Sequence, residues 1–173
     1  MSIQKLEGLI YFTDLGGFGR KTKNMPLEEV GQLLLDYARE VERAVTEAGG
    51  FLSTMINDSA LGWFPPEAAD AGVRCMMDLK QDVEAMMSAR DRSMSLKIGV
   101  HYGEFLLIHL PPDDQPNLIG STVNTAFTLG AGGNDNHRDK LILSEQAFRK
   151  LNADTRKAFH KFTEPVVYLA ESD

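Results

Sequence analysis

The feature that most constrains the fold is a long amphipathic helix pattern, bounded on both sides by apolar segments of strand length. Apolar residues recur at helical spacing from Leu27 to Val45, and Pro26 stands at the start of this run. Gly49 and Gly50 follow it, as glycines commonly do after a helix. Because a helix with one apolar face buries that face against another element, the pattern predicts a helix packed within a mixed fold.

Apolar segments before and after this helix predict strands. Residues 6–13 have the pattern of a buried strand, and residues 51–56 and 59–64 predict a hairpin whose turn contains Asn57 and Asp58. In the next part of the chain we predict a helix over 67–90 and paired strands over 95–101 and 104–110, around a turn at Tyr102 and Gly103. An exposed connection over 111–116 leads to a helix over 122–129 and a glycine-rich loop over 130–136. The last predicted elements are a strand over 141–143, a helix from Ser144 to Leu151 and a strand over 166–169. This alternation predicts the α+β class, with antiparallel pairing, in one domain over residues 1–173.

Composition and charge exclude several functions. With 43% apolar and 25% charged residues the chain has a globular composition. Its net charge of −7 argues against a nucleic-acid surface, which needs a basic face. Apolar stretches such as 105–110 are far shorter than a membrane span, the N-terminus shows no export signal, and Cys75 is the single cysteine. We therefore expect a cytoplasmic protein that binds neither membranes nor nucleic acid.

Two carboxylates indicate where the chemistry would lie. Asp14 follows a buried strand and precedes two glycines, whose amides can turn inward to bind an anion, while Asp58 lies at a hairpin tip. Each feature alone is more often an ordinary turn. If the two strands are neighbours, however, both carboxylates project from one sheet edge. Two metal ions about 4 Å apart could then bridge the oxygens of a phosphoryl-transfer reaction.

At this point five segments, in order, resemble those of class III adenylate and guanylate cyclases. They are FTDLGGF at 12–18, INDSA at 56–60, IGVHYGE at 98–104, IGSTVNTA at 119–126 and LILS at 141–144. One departure is that Asn57 stands where a glycine normally precedes the second metal-binding Asp. The resemblance covers roughly residues 6–170.

The resemblance implies a ferredoxin-like antiparallel sheet with flanking helices, which works as a head-to-tail homodimer with a site at each interface. It implies that a nucleoside triphosphate is cyclised by attack of the ribose 3′-oxygen on the α-phosphorus. Asp14, Leu15 and Asp58 would hold two Mg²⁺ or Mn²⁺ ions, and Asn124 of the second subunit would orient the ribose. The phosphate-binding amides would be those of Gly16, Gly17 and Phe18.

The positions that select the base depart from the purine pattern. Thr54 stands where the family carries a Lys or Glu, and Asn117 stands where many adenylate cyclases carry an Asp. A hydroxyl and a carboxamide both donate and accept hydrogen bonds, as the edges of uracil and cytosine require. In this respect the chain looks like the pyrimidine cyclases of bacterial anti-phage signalling, the Pycsar type, which make cyclic UMP or cyclic CMP.

The expected transition-state cation is also missing, because Thr128 stands where the family usually places an Arg. Losing one preorganised donor costs about 3–4 kcal/mol of transition-state stabilisation. Three cations are candidates to replace it: Arg138, Lys140 and Lys161.

Three alternatives stay open from the sequence. One is a degenerate cyclase domain that binds nucleotide or a partner without catalysis, and Thr128 favours it. Another is an adenylate or guanylate cyclase with an atypical base pocket. The last is a ferredoxin-like interaction domain that binds no nucleotide.

Overall fold

The computed structural model describes residues 3–90, 94–110, 115–131, 140–163 and 166–170. The predicted glycine-rich loop falls almost entirely outside these ranges, and so does most of the predicted exposed connection. The described residues form one eight-stranded sheet flanked by helices, which confirms the α+β prediction.

Strands and helices alternate along most of the chain. The strands are β1 (Ile3–Leu15), β2 (Phe51–Ile56), β3 (Ser59–Phe64), β4 (Leu96–Leu110), β5 (Gln115–Ile119), β6 (Leu141–Ser144), β7 (Phe159–Thr163) and β8 (Val166–Ala170). The helices are α1 (Phe18–Thr22), α2 (Leu27–Glu47), α3 (Ala69–Ser88), α4 (Ser121–Gly130), α5 (Glu145–Phe148) and α6 (Ala153–Arg156). A short 3₁₀ turn, Pro66–Ala68, precedes α3.

The longest pairing in the sheet joins β1 to β4. The strand order is β2-β3-β1-β4-β6-β8-β7, and β5 pairs with the C-terminal part of β4. β1 lies antiparallel to both neighbours and pairs with β4 without interruption from Ile3 opposite Ile108 to Leu15 opposite Leu96. The C-terminal end of β1 is therefore held between the start of β3 and the start of β4.

The two faces of the sheet are covered differently. On the first face, residues of α2, α3 and α5 pack with those of β1, β3 and β4 in the main core, which includes Tyr11, Tyr37 and Phe64. On the second face, α4 packs against a smaller cluster that includes Ile10 and Phe12. Because side chains alternate along a strand, the residues at even positions from 10 to 14 of β1 point to this second face.

Helix α4 approaches the sheet closely because two glycines meet. A Cβ on Gly99 would lie 2.2 Å from the carbonyl oxygen of Ala126 and 2.2 Å from the nitrogen of Gly130. A Cβ on Gly130 would in turn lie 2.7 Å from the ring of Phe12. Only glycine fits at these positions, and the contact fixes α4 two residues along β1 from Asp14.

Several predicted elements are confirmed. β2 and β3 have the predicted bounds, and their turn contains Asn57 with a φ of 52°. The long helix runs from Leu27 to Glu47, directly after Pro26. Ser144 caps α5, since its Oγ accepts a hydrogen bond from the N–H of Ala147 at 3.1 Å.

The predicted turn at Tyr102 and Gly103 is wrong, because β4 continues through both residues. Tyr102 pairs with Leu9 and Gly103 pairs with Gly8, so β1 extends the ladder past the glycine. A glycine is required at position 103 because α4 packs closely against the strand there. A Cβ on Gly103 would lie 2.9 Å from Thr122 Oγ1, so the residue serves the packing of α4 rather than a turn.

Other differences concern element ends and short elements. β1 extends through Asp14 and Leu15, which were predicted to follow the strand. The helix predicted to reach Leu151 stops at Phe148. The elements absent from the sequence prediction are α1, β5, α6 and β7. Within the described ranges, no helix combines the length and the apolar character that crossing a membrane requires.

Candidate functional site

The two predicted carboxylates meet at one end of the sheet. Asp58 occupies the turn between β2 and β3, and its carbonyl accepts a hydrogen bond from the N–H of Leu15 at 3.1 Å. Asp14 lies opposite Ser59 in the β1–β3 ladder, and Ser59 Oγ donates to Asp14 Oδ1 at 3.0 Å. The strand register thus places the residue that follows Asp58 directly beside Asp14.

Burial and mutual repulsion act on these acids. The pKa of Asp58 is raised above its ordinary value, first because burial disfavours the charge and then because Asp14 lies nearby. A main-chain hydrogen bond and the charge of Lys97 act in the opposite direction. The hydroxyl of Tyr37, hydrogen-bonded to Thr13 at 2.7 Å, has its pKa raised by burial and further by both carboxylates. Two acids therefore share a partly desolvated site.

Lys97 is a site residue that sequence reasoning missed. It lies opposite Asp14 in the β1–β4 ladder, with its Nζ 3.5 Å from Asp14 Oδ2. The exposed fractions are only 21% for the lysine side chain and 27% for the aspartate side chain, so solvent screens this pair incompletely. The one sequence signal was a basic residue inside an apolar run, Leu96 to Val100, at the start of a strand.

The loop after β1 carries the predicted phosphate-binding amides. The N–H of Gly16 donates to the carbonyl of Ser95 at 2.8 Å, so this amide is engaged in the structure. Gly17 has a φ of 76° and precedes α1, whose first residue is Phe18. First-turn amides of a helix have no partner within the helix. Phosphate binding by this loop stays a prediction, and for Gly16 it requires exchange of the Ser95 carbonyl.

The predicted base-selecting residues lie on strands that approach one another. Thr54 pairs with Leu61 in β3, which places it on the second face, the same face as Asp14. Asn117 lies on β5. Ser53 Oγ donates to the carbonyl of Pro116 at 2.6 Å, so the residues that precede Thr54 and Asn117 are in contact. Thr54 and Asn117 are both half-buried.

Asn124 lies on a different element from the two carboxylates. It is exposed on α4, on the second face of the sheet, together with Thr128. Thr128 Oγ1 donates to the carbonyl of Asn124 at 2.9 Å, so this hydroxyl is used within the helix. Among the described residues, no hydrogen bond joins the Asn124 side chain to Asp14 or Asp58.

The three candidate replacement cations differ in position. Arg138 lies outside the described residues. Lys140 precedes β6, and its carbonyl accepts the N–H of Ile98 at 3.1 Å, which places it beside the start of β4. Lys161 lies on β7, four strands from β1, so its main chain is about 19 Å from that of β1. Of the two candidates that the structure describes, only Lys140 lies towards the carboxylates of its own chain.

The two carboxylates fit a metal ion that completes its coordination with the phosphates of a bound substrate. Within the described ranges, no group of three or more His, Cys, Asp or Glu side chains could hold a metal by itself. Mg²⁺ commonly binds one or two carboxylates and completes its shell with substrate phosphates and water. Asp14 and Asp58 supply such a pair. The side chain of Leu15 is 1% exposed, so this residue can offer only its carbonyl oxygen.

Comparisons with known proteins agree with the resemblance seen in the motifs. The chain is 23% identical over 153 residues to an adenylate cyclase of Anabaena cylindrica, covering 83% of this chain and 30% of that protein. It is 25% identical over 127 residues to the terminal-differentiation-specific adenylate cyclase of Dictyostelium discoideum, covering 68% and 6%. The chain thus spans less than a third of the length of these relatives. No family model matches it.

Solved structures show the fold directly. The adenylyl cyclase CyaB from P. aeruginosa superimposes with a TM-score of 0.82 at 16% identity, covering 100% of this chain and 97% of that one. The guanylyl cyclase Cya2 gives 0.78 at 18%, covering 98% and 93%. The guanylate cyclase domain of RhGC from Catenaria anguillulae, in complex with GTP, gives 0.78 at 17%, covering 98% of each. The chain has the fold of adenylyl and guanylyl cyclase domains, and the resemblance is confirmed at that level.

We predict that the variant Asp58→Asn is more stable than the wild type in metal-free buffer at pH 7. A raised pKa means that the charge of Asp58 destabilises the fold above the pKa of the unfolded chain. The advantage of the amide should disappear as the pH falls and the wild-type carboxyl becomes protonated. Thermal unfolding with a chelator at pH 7 and pH 3.5 measures both effects.

Glu42→Gln is the matched control, because Glu42 is exposed on α2. The Glu42→Gln substitution should change the midpoint of thermal unfolding little at either pH. Two results would contradict this electrostatic explanation. One is an Asp58→Asn variant that is less stable than the wild type at pH 7, and the other is an unfolding midpoint that shifts equally at both pH values.

Proposed function

We propose that this chain is the catalytic domain of a class III nucleotidyl cyclase. It converts a nucleoside triphosphate into a 3′,5′-cyclic nucleotide and pyrophosphate. The observation that carries the proposal is the meeting of Asp14 and Asp58 at one end of β1, on a fold shared with adenylyl and guanylyl cyclases. The relatives named above are cyclases, which supports the same reaction class.

The reaction needs positive charge near the phosphates more than it needs covalent chemistry from the protein. The ribose 3′-oxygen forms a bond to the α-phosphorus while the bond from that phosphorus to the bridging oxygen breaks. Pyrophosphate leaves with the bridging oxygen, and the hydroxyl proton passes to solvent water. Two divalent ions, Mg²⁺ or Mn²⁺, when bound would polarise the phosphate oxygens and lower the pKa of the hydroxyl. Asp14 and Asp58 orient this centre from the rigid end of the sheet.

Lys97 has a second role in this proposal. It offsets the charge of Asp14 while the site is empty, at an Nζ to Oδ2 distance of 3.5 Å. Binding of cations to Asp14 weakens this ion pair, because the carboxylate charge is then shared. The ammonium group can turn to the triphosphate, which carries the negative charge that accompanies the metal. Lys97 thus supplies one of the cations that the site requires.

The chemistry of the base pocket supports a pyrimidine substrate. Thr54 and Asn117 are neutral, half-buried and adjacent to residues already in contact across β2 and β5. Neutral groups that both donate and accept match the mixed edges of uracil and cytosine. We therefore propose cyclic UMP or cyclic CMP as the product, and a role as second-messenger source in bacterial anti-phage signalling within the cytoplasm. The support for that role is the likeness to Pycsar-type cyclases.

A homodimer completes the proposed site. Asn124 is exposed on α4, on the second face, whereas the carboxylates lie on β1 and on the turn between β2 and β3. The same face exposes large apolar side chains, with exposed fractions of 52% for Phe51, 66% for Ile56 and 53% for Phe127. A second copy packed on this face in head-to-tail fashion would bury them and supply its own Asn124. Each dimer then has two equivalent sites.

One observation favours a second candidate, a nucleotide-binding module without catalysis. Thr128 carries no charge, and its hydroxyl is used by the carbonyl of Asn124. A domain of this kind would bind a metal–nucleotide complex and signal through dimerisation alone. Retention of two acids that repel each other argues for catalysis instead, since a non-catalytic domain gains nothing from that repulsion.

We predict that the purified protein with Mn²⁺ makes cyclic monophosphate from UTP or CTP. The kcat/KM should exceed that for ATP and GTP by at least about tenfold, the discrimination that one well-placed hydrogen bond gives. Asp58→Asn should abolish turnover while remaining folded, so that lost activity is not lost structure. Liquid chromatography of reactions with each of the four triphosphates measures the products.

Turnover of ATP or GTP alone would remove the pyrimidine preference and keep the cyclase. Metal-dependent binding of a triphosphate with no cyclic product from any of the four would favour the binding module.

The homodimer predicts complementation between two inactive variants. Asp58→Ala and Asn124→Ala should each be inactive, because each damages both sites of its own homodimer. A 1:1 mixture should regain about a quarter of wild-type activity, since half of the dimers are mixed and each of these keeps one intact site. A mixture as inactive as its components, although gel filtration shows that subunits exchange, would contradict the shared site.

A further inference from the structure

We infer that Arg20 binds the terminal phosphates of the substrate and replaces the cation that is missing at position 128, where this chain has a threonine. The inference deepens the proposed function and rests on it for the identity of the substrate. It starts from the position of Arg20 over the loop after β1. This residue belongs neither to the motif resemblance nor to the candidate cations Arg138, Lys140 and Lys161.

The guanidinium of Arg20 folds back over the glycine loop. Arg20 is exposed in α1, three residues after Gly17, yet its Nη2 lies 3.3 Å and its Nε 3.9 Å from the point where a Cβ of Gly17 would be. The positive φ of Gly17, 76°, turns the chain so that this side chain lies over the loop. The guanidinium therefore lies over the loop that follows the C-terminal end of β1.

Arg20 also stands apart in its contacts. Of the seven arginines among the described residues, it alone makes no hydrogen bond or ion pair to the protein. The other six reach carboxylates or a carbonyl: Arg39, Arg43, Arg74, Arg90, Arg149 and Arg156. A guanidinium that folds over a loop without an acidic partner keeps its donors available for an anion.

The position suits the leaving group of the proposed reaction. Gly17 lies three residues beyond Asp14, so the metal-binding strand end leads directly into the loop that Arg20 covers. A guanidinium donates two parallel hydrogen bonds to phosphate oxygens, which a lysine cannot do in the same geometry. Negative charge builds on the departing pyrophosphate as the bond to the α-phosphorus breaks. A fixed cation at that end stabilises it.

The loop and the opposite end of the site are linked through the main chain. Gly16 donates its N–H to Ser95, two residues before Lys97. Arg20 and Lys97 therefore approach the strand end from two sides, one from the loop and one from β4. With its Nζ 3.5 Å from Asp14 Oδ2, Lys97 partly neutralises the site when it is empty. The site gains a second cation if Arg20 turns towards the ligand. It becomes strongly attractive to a metal-bound polyphosphate, because the metals neutralise the acids.

The test uses inorganic tripolyphosphate with equimolar Mn²⁺ as the probe, titrated calorimetrically into the full chain. We predict that Arg20→Met weakens its binding by about tenfold to a hundredfold, the effect of a hydrogen bond to a charged group. Arg20→Lys should fall between Arg20→Met and wild type, because it keeps the charge and loses the paired donors. The control Lys23→Met removes an exposed cation just after α1 and should bind within about twofold of wild type.

Turnover adds a readout that a structural role would not move. Arg20→Met should lower kcat/KM by a similar factor for every triphosphate used, because the phosphates are common to all, and should leave the unfolding midpoint unchanged. Equal probe binding by Arg20→Met and Lys23→Met, or no binding by the wild type, overturns the inference. Arg20-dependent probe binding without cyclic product from any triphosphate would sink the proposed function and leave this inference standing.

Discussion

The antiparallel register of β1 between β3 and β4 is the constraint on which the candidate site depends. It sets Asp14 opposite Ser59 on one side and opposite Lys97 on the other. A slip of one residue would turn Asp14 to the first face, where α2 and α3 pack, and leave its charge among apolar side chains. The register is held by thirteen consecutive pairs with β4 and by buried side chains on both faces, with Tyr11 on one and Phe12 on the other.

That register also explains how the fold accommodates two carboxylates, Asp14 and Asp58, at the C-terminal end of β1. Burial and the charge of Asp14 raise the pKa of Asp58, so an empty site carries electrostatic strain. Lys97, on the neighbouring strand, reduces this strain. An arrangement of this kind favours a ligand that brings cations and polyphosphate together. The same balance of charge that limits stability in the empty state therefore selects the proposed substrate.

Sequence reasoning succeeded where the signal is local. The hairpin around Asn57 and Asp58 follows from apolar runs broken by a turn, and the long helix follows from its spacing and from Pro26. It failed where tertiary contacts decide. Gly103 resembled a turn residue, but it is a glycine because Thr122 packs against it within a continuous strand.

Lys97 and Arg20 were missed for the same physical reason. The first acquires its role only by pairing across two strands that are more than eighty residues apart, and the second by folding back over a glycine. Short edge strands such as β7 give too weak a pattern to separate from loops, which is why the strand that carries Lys161 was not predicted.

Anomalous diffraction from crystals soaked with Mn²⁺ and a non-cyclisable triphosphate would locate the metal ions. We expect two peaks about 4 Å apart, each about 2.0–2.2 Å from a carboxylate oxygen of Asp14 and from one of Asp58. Manganese bound elsewhere on the chain, with no peak beside these two carboxylates, would contradict the proposed site.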